Sequence, residues 1–134
     1  GHVKAQFNLS YMYRDGSLDN ENGNPMTIPV NYPLHFKWAL AAAKQNHIDG
    51  QAYTAECYQE GWGVERNYAS AFEWYTKAAE QEDRDSQYNI GEYFEEGKGR
   101  DIDIEQALFW YRKAAAQGDQ DSIDEIAEIE EAFN

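Results

Sequence analysis

Apolar positions recur every three or four residues through most of the chain, the period of one helix face. Over 84–96, Ser86, Ile90 and Phe94 fall four apart, with Gly91 beside Ile90 and acidic or amide residues between them. Over 103–117, Ile104, Ala107, Leu108, Tyr111, Ala114 and Ala115 form one face. Glycines punctuate these runs. Gly97 and Gly118 follow the last periodic residues, where a left-handed residue ends a helix without a Cβ penalty.

The pattern repeats. Trp74-Tyr75-Thr76-Lys77-Ala78-Ala79-Glu80-Gln81 returns 36 positions later as Trp110-Tyr111-Arg112-Lys113-Ala114-Ala115-Ala116-Gln117. Gly61 and Gly63 return as Gly97 and Gly99, and Ala71 returns as Ala107. Between 50–83 and 86–119, 13 of 34 positions are identical. A fixed period of this length marks a stacked helical repeat. The register predicts helices at about 50–60 and 67–81, joined by Gly61-Trp62-Gly63-Val64, and at 84–96 and 103–117. A last single helix follows at 120–133, with Ile123, Ile126, Ile129 and Phe133 facing inward and an acidic outer face. An acidic outer face is what a terminal helix needs to stay soluble.

The first repeat is longer. Ala5–Tyr11 aligns with Ser86–Glu92, and Phe36-Lys37-Trp38 with Phe72-Glu73-Trp74. Between these anchors the loop gains nine residues, giving an insertion at 17–33 rich in Asn, Asp and Gly and holding Pro25, Pro29 and Pro33. Alternation at Met26, Ile28, Val30 and Tyr32 predicts a short strand-like piece lying on the helices.

These motifs resemble the Sel1-like repeat family, relatives of the tetratricopeptide repeats. The matches are Ile90-Gly91 in a first helix, Gly61-Trp62-Gly63-Val64 in a loop, and Ala107-Leu108-Phe109-Trp110-Tyr111-Arg112-Lys113-Ala114-Ala115-Ala116-Gln117-Gly118 in a second helix. The resemblance spans about 3–134 as one repeat domain, with repeats at 3–47, 48–83 and 84–119 and a capping helix. Departures are Thr54-Ala55 for Leu-Gly, Arg100 for the loop valine, Glu82 for the closing glycine, and His35 and Ala39 for an alanine and a tyrosine. It implies an all-α, right-handed α-solenoid of antiparallel helix pairs, bacterial in kind, acting as a non-catalytic adaptor between proteins. It implies no cofactor.

In stacks of this type the first helix of each pair lines the concave face. The resemblance then places Asp85, Tyr88, Glu92 and Glu95 in a groove, with Asp49, Ala52, Glu56 and Gln59, and Asp121, Asp124, Glu128 and Glu131, at equivalent positions. Repeat one contributes Lys4, Phe7, Tyr11 and Arg14. The expected partner-binding residues are Phe7, Tyr11, Glu56, Tyr88, Glu92, Glu95 and Glu128, a surface suited to a basic or amphipathic peptide or protein.

Charge sharpens this picture. The chain of 134 residues carries a formal net charge of −14 and a pI of about 4.4. That field repels nucleic acid and anionic lipid and favours cationic partners. Aromatic content of 15% sets the chain apart from disordered acidic sequences. No apolar run approaches the length needed to cross a bilayer. Gly1-His2 in place of an initiator Met reads as a cloning remnant, implying a natural chain that extends upstream with room for a targeting segment. Cytoplasmic, periplasmic and secreted locations all stay open.

Candidate chemistry is thin. Cys57 is the single cysteine, so no intramolecular disulfide forms. It falls on a helix and reads as a packing residue; His47, ten positions away, is too distant along the chain to activate it. Asp101-x-Asp103-x-Glu105 starts like a calcium loop but has Gln106 and Arg112 where Gly and Glu are required. Asp103 instead reads as a helix N-cap. Asp15, Asp19, Asn20, Glu21, Asn22 and Asn24 offer oxygens without a ligand spacing, so no metal is expected. The rivals to a scaffold are an enzyme regulator or inhibitor and a cell-wall-directed hydrolase. A hydrolase would need titratable groups converging in a deep pocket.

Overall fold

In the computed structural model, residues 2–19, 25–27 and 29–133 are described. They form α1 (His2–Asp15), β1 (Ser17–Asp19), β2 (Pro25–Thr27), α2 (Tyr32–Ala43), α3 (Ile48–Glu60), α4 (Tyr68–Glu80), α5 (Arg84–Glu96), α6 (Ile104–Ala116) and α7 (Gln120–Ala132). The chain divides into two compact units, Gly1–Asn67 and Tyr68–Asn134.

Caps recur in the 36-residue register. The N-caps of α3, α5 and α7 are His47, Asp83 and Asp119, whose side chains accept from the backbone N–H three residues on at 3.0–3.1 Å. Asn31 and Asp103 do the same for α2 and α6 at 3.1 Å. Each such cap contributes about 1 kcal/mol. Gly61 and Gly97 end α3 and α5 at φ 74° and 72°. The position after the second helix is also left-handed. Asn46 and Glu82 hold φ of 66° and 68° there, where repeat three has Gly118.

In unit 1, α1 packs on α2 and α2 on α3. The Gly50 backbone meets Ala42 so closely that an added Cβ would lie 2.9 Å from the Ala42 Cβ. Between α1 and α2 the core is polar. His35 is fully buried, and its Nδ1 lies 2.9 Å from the Ser10 carbonyl, while the Ser10 hydroxyl donates to the His35 carbonyl at 2.9 Å. Burial lowers the His35 pKa, so the ring is neutral, with its proton on Nδ1. His35 Nε2 is buried without a hydrogen-bond partner.

In unit 2, α5 packs against α4 and α6, and α6 against α7. Ala78, Ala107 and Ala114 are fully buried, and Tyr75, Tyr93 and Tyr111 are buried beside them. Tyr93 meets Tyr68 and Tyr75 edge-on at 6.1 and 5.8 Å. Such pairs add about 0.5–1.5 kcal/mol beyond their area. Trp74 and Trp110 are only half-buried. Lys77 lies 4.7 Å from the Trp74 ring and Lys113 5.8 Å from the Trp110 ring.

Two expectations are corrected. Among the described residues, the alternation at 26–32 gives a strand only in its first part. Met26 sits in β2, which pairs antiparallel with β1 through Leu18, and Tyr32 already begins α2, where Pro33 suits the first turn. Ile28, and the ligand candidates Asn20, Glu21, Asn22 and Asn24, lie outside the described residues. In α7 only Ile129 is buried as expected; Ile123 is 43% and Phe133 73% exposed. The helical period identifies an apolar face, but nothing in it requires a neighbour to cover that face.

Candidate functional site

The expected binding residues divide between the two units. Phe7, Tyr11 and Glu56 belong to unit 1; Tyr88, Glu92, Glu95 and Glu128 belong to unit 2.

In unit 1, the four-residue spacing of α1 sets Phe7, Tyr11 and Arg14 near one another on a helix face. The Phe7 ring is half-buried and engaged, 4.8 Å from His47 and 5.2 Å from Tyr53. Tyr11 is 42% exposed, its side chain hydrogen-bonded to Asp15. Arg14 organises the group. Its Nε donates to Asp15 at 3.0 Å, its Nη1 lies 3.5 Å from Glu56, and its guanidinium lies 4.7 Å from the Tyr53 ring centre. Burial raises the Glu56 carboxyl pKa, and Glu60 and Asp15 add to this, against the lowering effect of Arg14. Glu56 is thus a paired, half-buried acid rather than an open one. The register offers no signal for this pairing or for Tyr53.

In unit 2 the acid is less compensated. Tyr88 lies 5.7 Å from the Tyr111 ring, and burial followed by Glu92 and Glu125 pushes its hydroxyl up to about 12. Tyr111 donates its hydroxyl to Glu95 at 2.7 Å, and burial with this bond raises its pKa strongly. Glu92 is raised by burial first, then by Glu96, with Lys98 partly opposing. Glu125 is raised by burial first, then by Glu95 and Glu128. Carboxylates from α5 and α7 therefore gather around two tyrosine rings.

Glu92 and Glu95 are half-buried, whereas Glu128 is exposed. Glu125 completes the group, although its register equivalents are Tyr53 and Asn89, so periodicity does not single it out.

Nucleophilic chemistry finds no support at Cys57. The thiol is fully buried, and burial pushes it up to about 12, far from the thiolate. His47 uses Nδ1 to cap α3, and His35 uses Nδ1 on Ser10. Among the described residues, no group of three or more His, Cys, Asp or Glu side chains could hold a metal ion, and no helix is long and apolar enough to cross a membrane.

The Sel1 repeat model matches residues 3–47, 48–83 and 84–119. No curated protein matches the chain. Among solved structures, a Sel1 repeat protein from Oxalobacter formigenes is 31% identical with a TM-score of 0.79, over 90% of this chain and 46% of that one. A protective antigen present in uropathogenic Escherichia coli strains, described as displaying an SLR fold, is 29% identical with a TM-score of 0.81, over 91% and 24%. Cysteine-rich protein B of Helicobacter pylori is 25% identical with a TM-score of 0.67, over 71% of each chain. The chain thus spans less than half the length of the first two. Sel1-like repeat proteins are generally non-catalytic protein-interaction scaffolds, and the fold class is the all-α solenoid of antiparallel helix pairs. With three matched repeats covering most of its length, the chain belongs to the Sel1 repeat family.

Proposed function

We propose that this chain is a non-catalytic interaction module that binds a basic or amphipathic segment of a partner protein on its acidic first-helix surface. The observation that carries this reading is the gathering of Glu92, Glu95, Glu125 and Glu128 around Tyr88 and Tyr111, where burial first, and then neighbouring carboxylates, raises Glu92 and Glu125. A cationic side chain entering this surface relieves that repulsion, so binding and charge neutralisation reinforce each other. Tyr88 supplies an aromatic contact there, and Tyr11, beside Phe7, is a separate aromatic contact of unit 1, taken by itself. Glu56, held by Arg14, contributes less than the unit 2 acids.

The test is affinity capture with the folded protein, identification of the partner, and association kinetics with a Glu92→Lys/Glu128→Lys variant. The variant should associate more slowly, and its rate should depend less on salt. Circular dichroism must first show an intact fold, because Glu92 is half-buried. A captured partner whose low-salt binding survives the reversal would overturn the acidic-surface reading.

A further inference from the structure

Repeat one places an ionisable ring where the other repeats need none. His35 stands in the register of Ala71 and Ala107, and Ser10 in that of Ala55 and Gly91. All six positions are buried. Repeats two and three make this contact with alanine and glycine, so the fold itself does not call for an imidazole here.

The ring is anchored at one nitrogen and bare at the other. Nδ1 donates to the Ser10 carbonyl at 2.9 Å, and the Ser10 hydroxyl donates to the His35 carbonyl at 2.9 Å. Nε2 is enclosed without a partner. In the neutral ring that nitrogen is an unused acceptor; in the protonated ring it becomes a donor, and both nitrogens then need acceptors. A buried cation with an unmet donor costs far more than a bare acceptor. The ring therefore cannot gain a proton in place; a neighbour has to move.

The helices packed on α2 supply that neighbour. α1 brings Tyr11, Arg14 and Asp15; α3 brings His47, Tyr53 and Glu56. Lys37, on α2 itself, is exposed and lies 5.1 Å from the Trp38 ring centre. The Tyr53 ring packs 5.8 Å from the imidazole, and His47 is committed to capping α3. After burial, which keeps the ring neutral, the charges acting on His35 are Arg14, which disfavours a proton, and Asp15, which favours one.

Asp15 is available to such a cation. A hydrogen bond from Tyr11, opposed by burial and aided by Arg14, holds its carboxyl below the usual range, so it is still charged wherever the ring can take a proton. Arg14 has a second carboxylate to turn to. Its Nε donates to Asp15 at 3.0 Å, but its Nη1 is already 3.5 Å from Glu56, and its guanidinium lies 4.7 Å from the Tyr53 ring centre. The same charges thus have two complete arrangements. With the ring neutral, Asp15 serves Arg14 and Tyr11. With the ring charged, Asp15 serves the imidazolium, Arg14 rests on Glu56 and Tyr53, and the Tyr11 hydroxyl is free.

We propose that His35 is a proton-operated latch in unit 1: a proton taken from solvent at Nε2 draws the Asp15 carboxylate from Arg14 and Tyr11 to the imidazolium and leaves Arg14 on Glu56. Burial keeps the ring neutral at neutral pH, so the latch is closed there and opens on acidification, below the ordinary histidine value of about 6.5. Opening changes what the first-helix surface of unit 1 presents: an uncommitted Tyr11 hydroxyl beside Phe7, and a Glu56 carboxylate neutralised by Arg14. The latch lies wholly within unit 1 and does not depend on the acidic surface proposed for unit 2.

The test is heteronuclear NMR of the isotope-labelled intact protein from about pH 7.5 to about pH 5, following the His35 ring nitrogens, the Asp15 carboxyl carbon and the Arg14 Nε–H. The His35 Nε2 signal should change with one midpoint below about 6.5, and the Asp15 carboxyl should share it. Through that midpoint the Arg14 Nε–H should lose protection against exchange, with its intrinsic pH dependence divided out. Asp15→Asn should move the His35 midpoint down and Arg14→Gln should move it up, both at side chains that reach solvent. His35→Gln should abolish the Arg14 response. The proposal is overturned if His35 gains charge while the Arg14 Nε–H stays protected, or if the response survives His35→Gln or is lost in His47→Asn instead. It also fails if charge appears only as the amide signals of α1 and α2 collapse together, which is acid unfolding. A midpoint indifferent to both Asp15→Asn and Arg14→Gln rejects it as well, and this pair decides alone should His35→Gln not fold.

Discussion

At the scale of residues, the first repeat replaces an apolar contact with a hydrogen-bonded one. Where α6 sets Tyr111 against Gly91, α2 sets His35 against Ser10. A buried neutral imidazole links folding to pH. The folded pKa is lowered, so below about 6.5 the unfolded chain takes up a proton that the folded one resists. Stability from this group is present above that pH and falls as the pH drops through it. The protection factors of the α1 and α2 amides, with the pH dependence of intrinsic exchange divided out, should therefore fall as the pH drops from about 7.5 to about 6. In His35→Ala the exchange should be faster at every pH, by about 1–3 kcal/mol of lost protection, but the slope in this window should vanish. A slope that persists in the variant would assign the effect to another group.

The helices were largely legible before the structure, because period and punctuation agree. Alanine pairs, paired aromatics and loop glycines repeat at 36 residues, and the observed helices match the expected bounds within a few residues. The sites were less legible for a physical reason. Arg14 meets Glu56 and Glu125 meets Glu95 through side chains that reach across from other helices. Periodicity assigns a residue to a face but not to a partner, and it cannot say whether the face of α7 is covered. What it does locate is close packing. Gly91→Ala should clash with the Tyr111 ring, and Ala114→Leu should overpack a fully buried position. Each should cost about 1–3 kcal/mol in thermal or denaturant unfolding. An unchanged melting temperature for either would remove that residue from the helix contact.

For the molecule as a whole, charge is unevenly shared. Unit 2 holds 18 of the 25 acidic side chains but only 6 of the 11 basic ones, so the steering proposed for a cationic partner would rest on unit 2. Unit 1 holds the single thiol, wholly enclosed in α3 and pushed up to about 12. That enclosure makes Cys57 a native clock. A thiol reagent can modify it only during moments when α3 opens, so the labelling rate counts those openings without an introduced probe. Labelling should be orders of magnitude slower than for a free thiol, and it should quicken in His35→Ala, whose imidazole packs beside Tyr53 on the same helix. Equal rates in the two proteins would mean that α3 opens independently of the α1–α2 contact. The cysteine that offers no chemistry to a substrate would then time the motions of the unit around it.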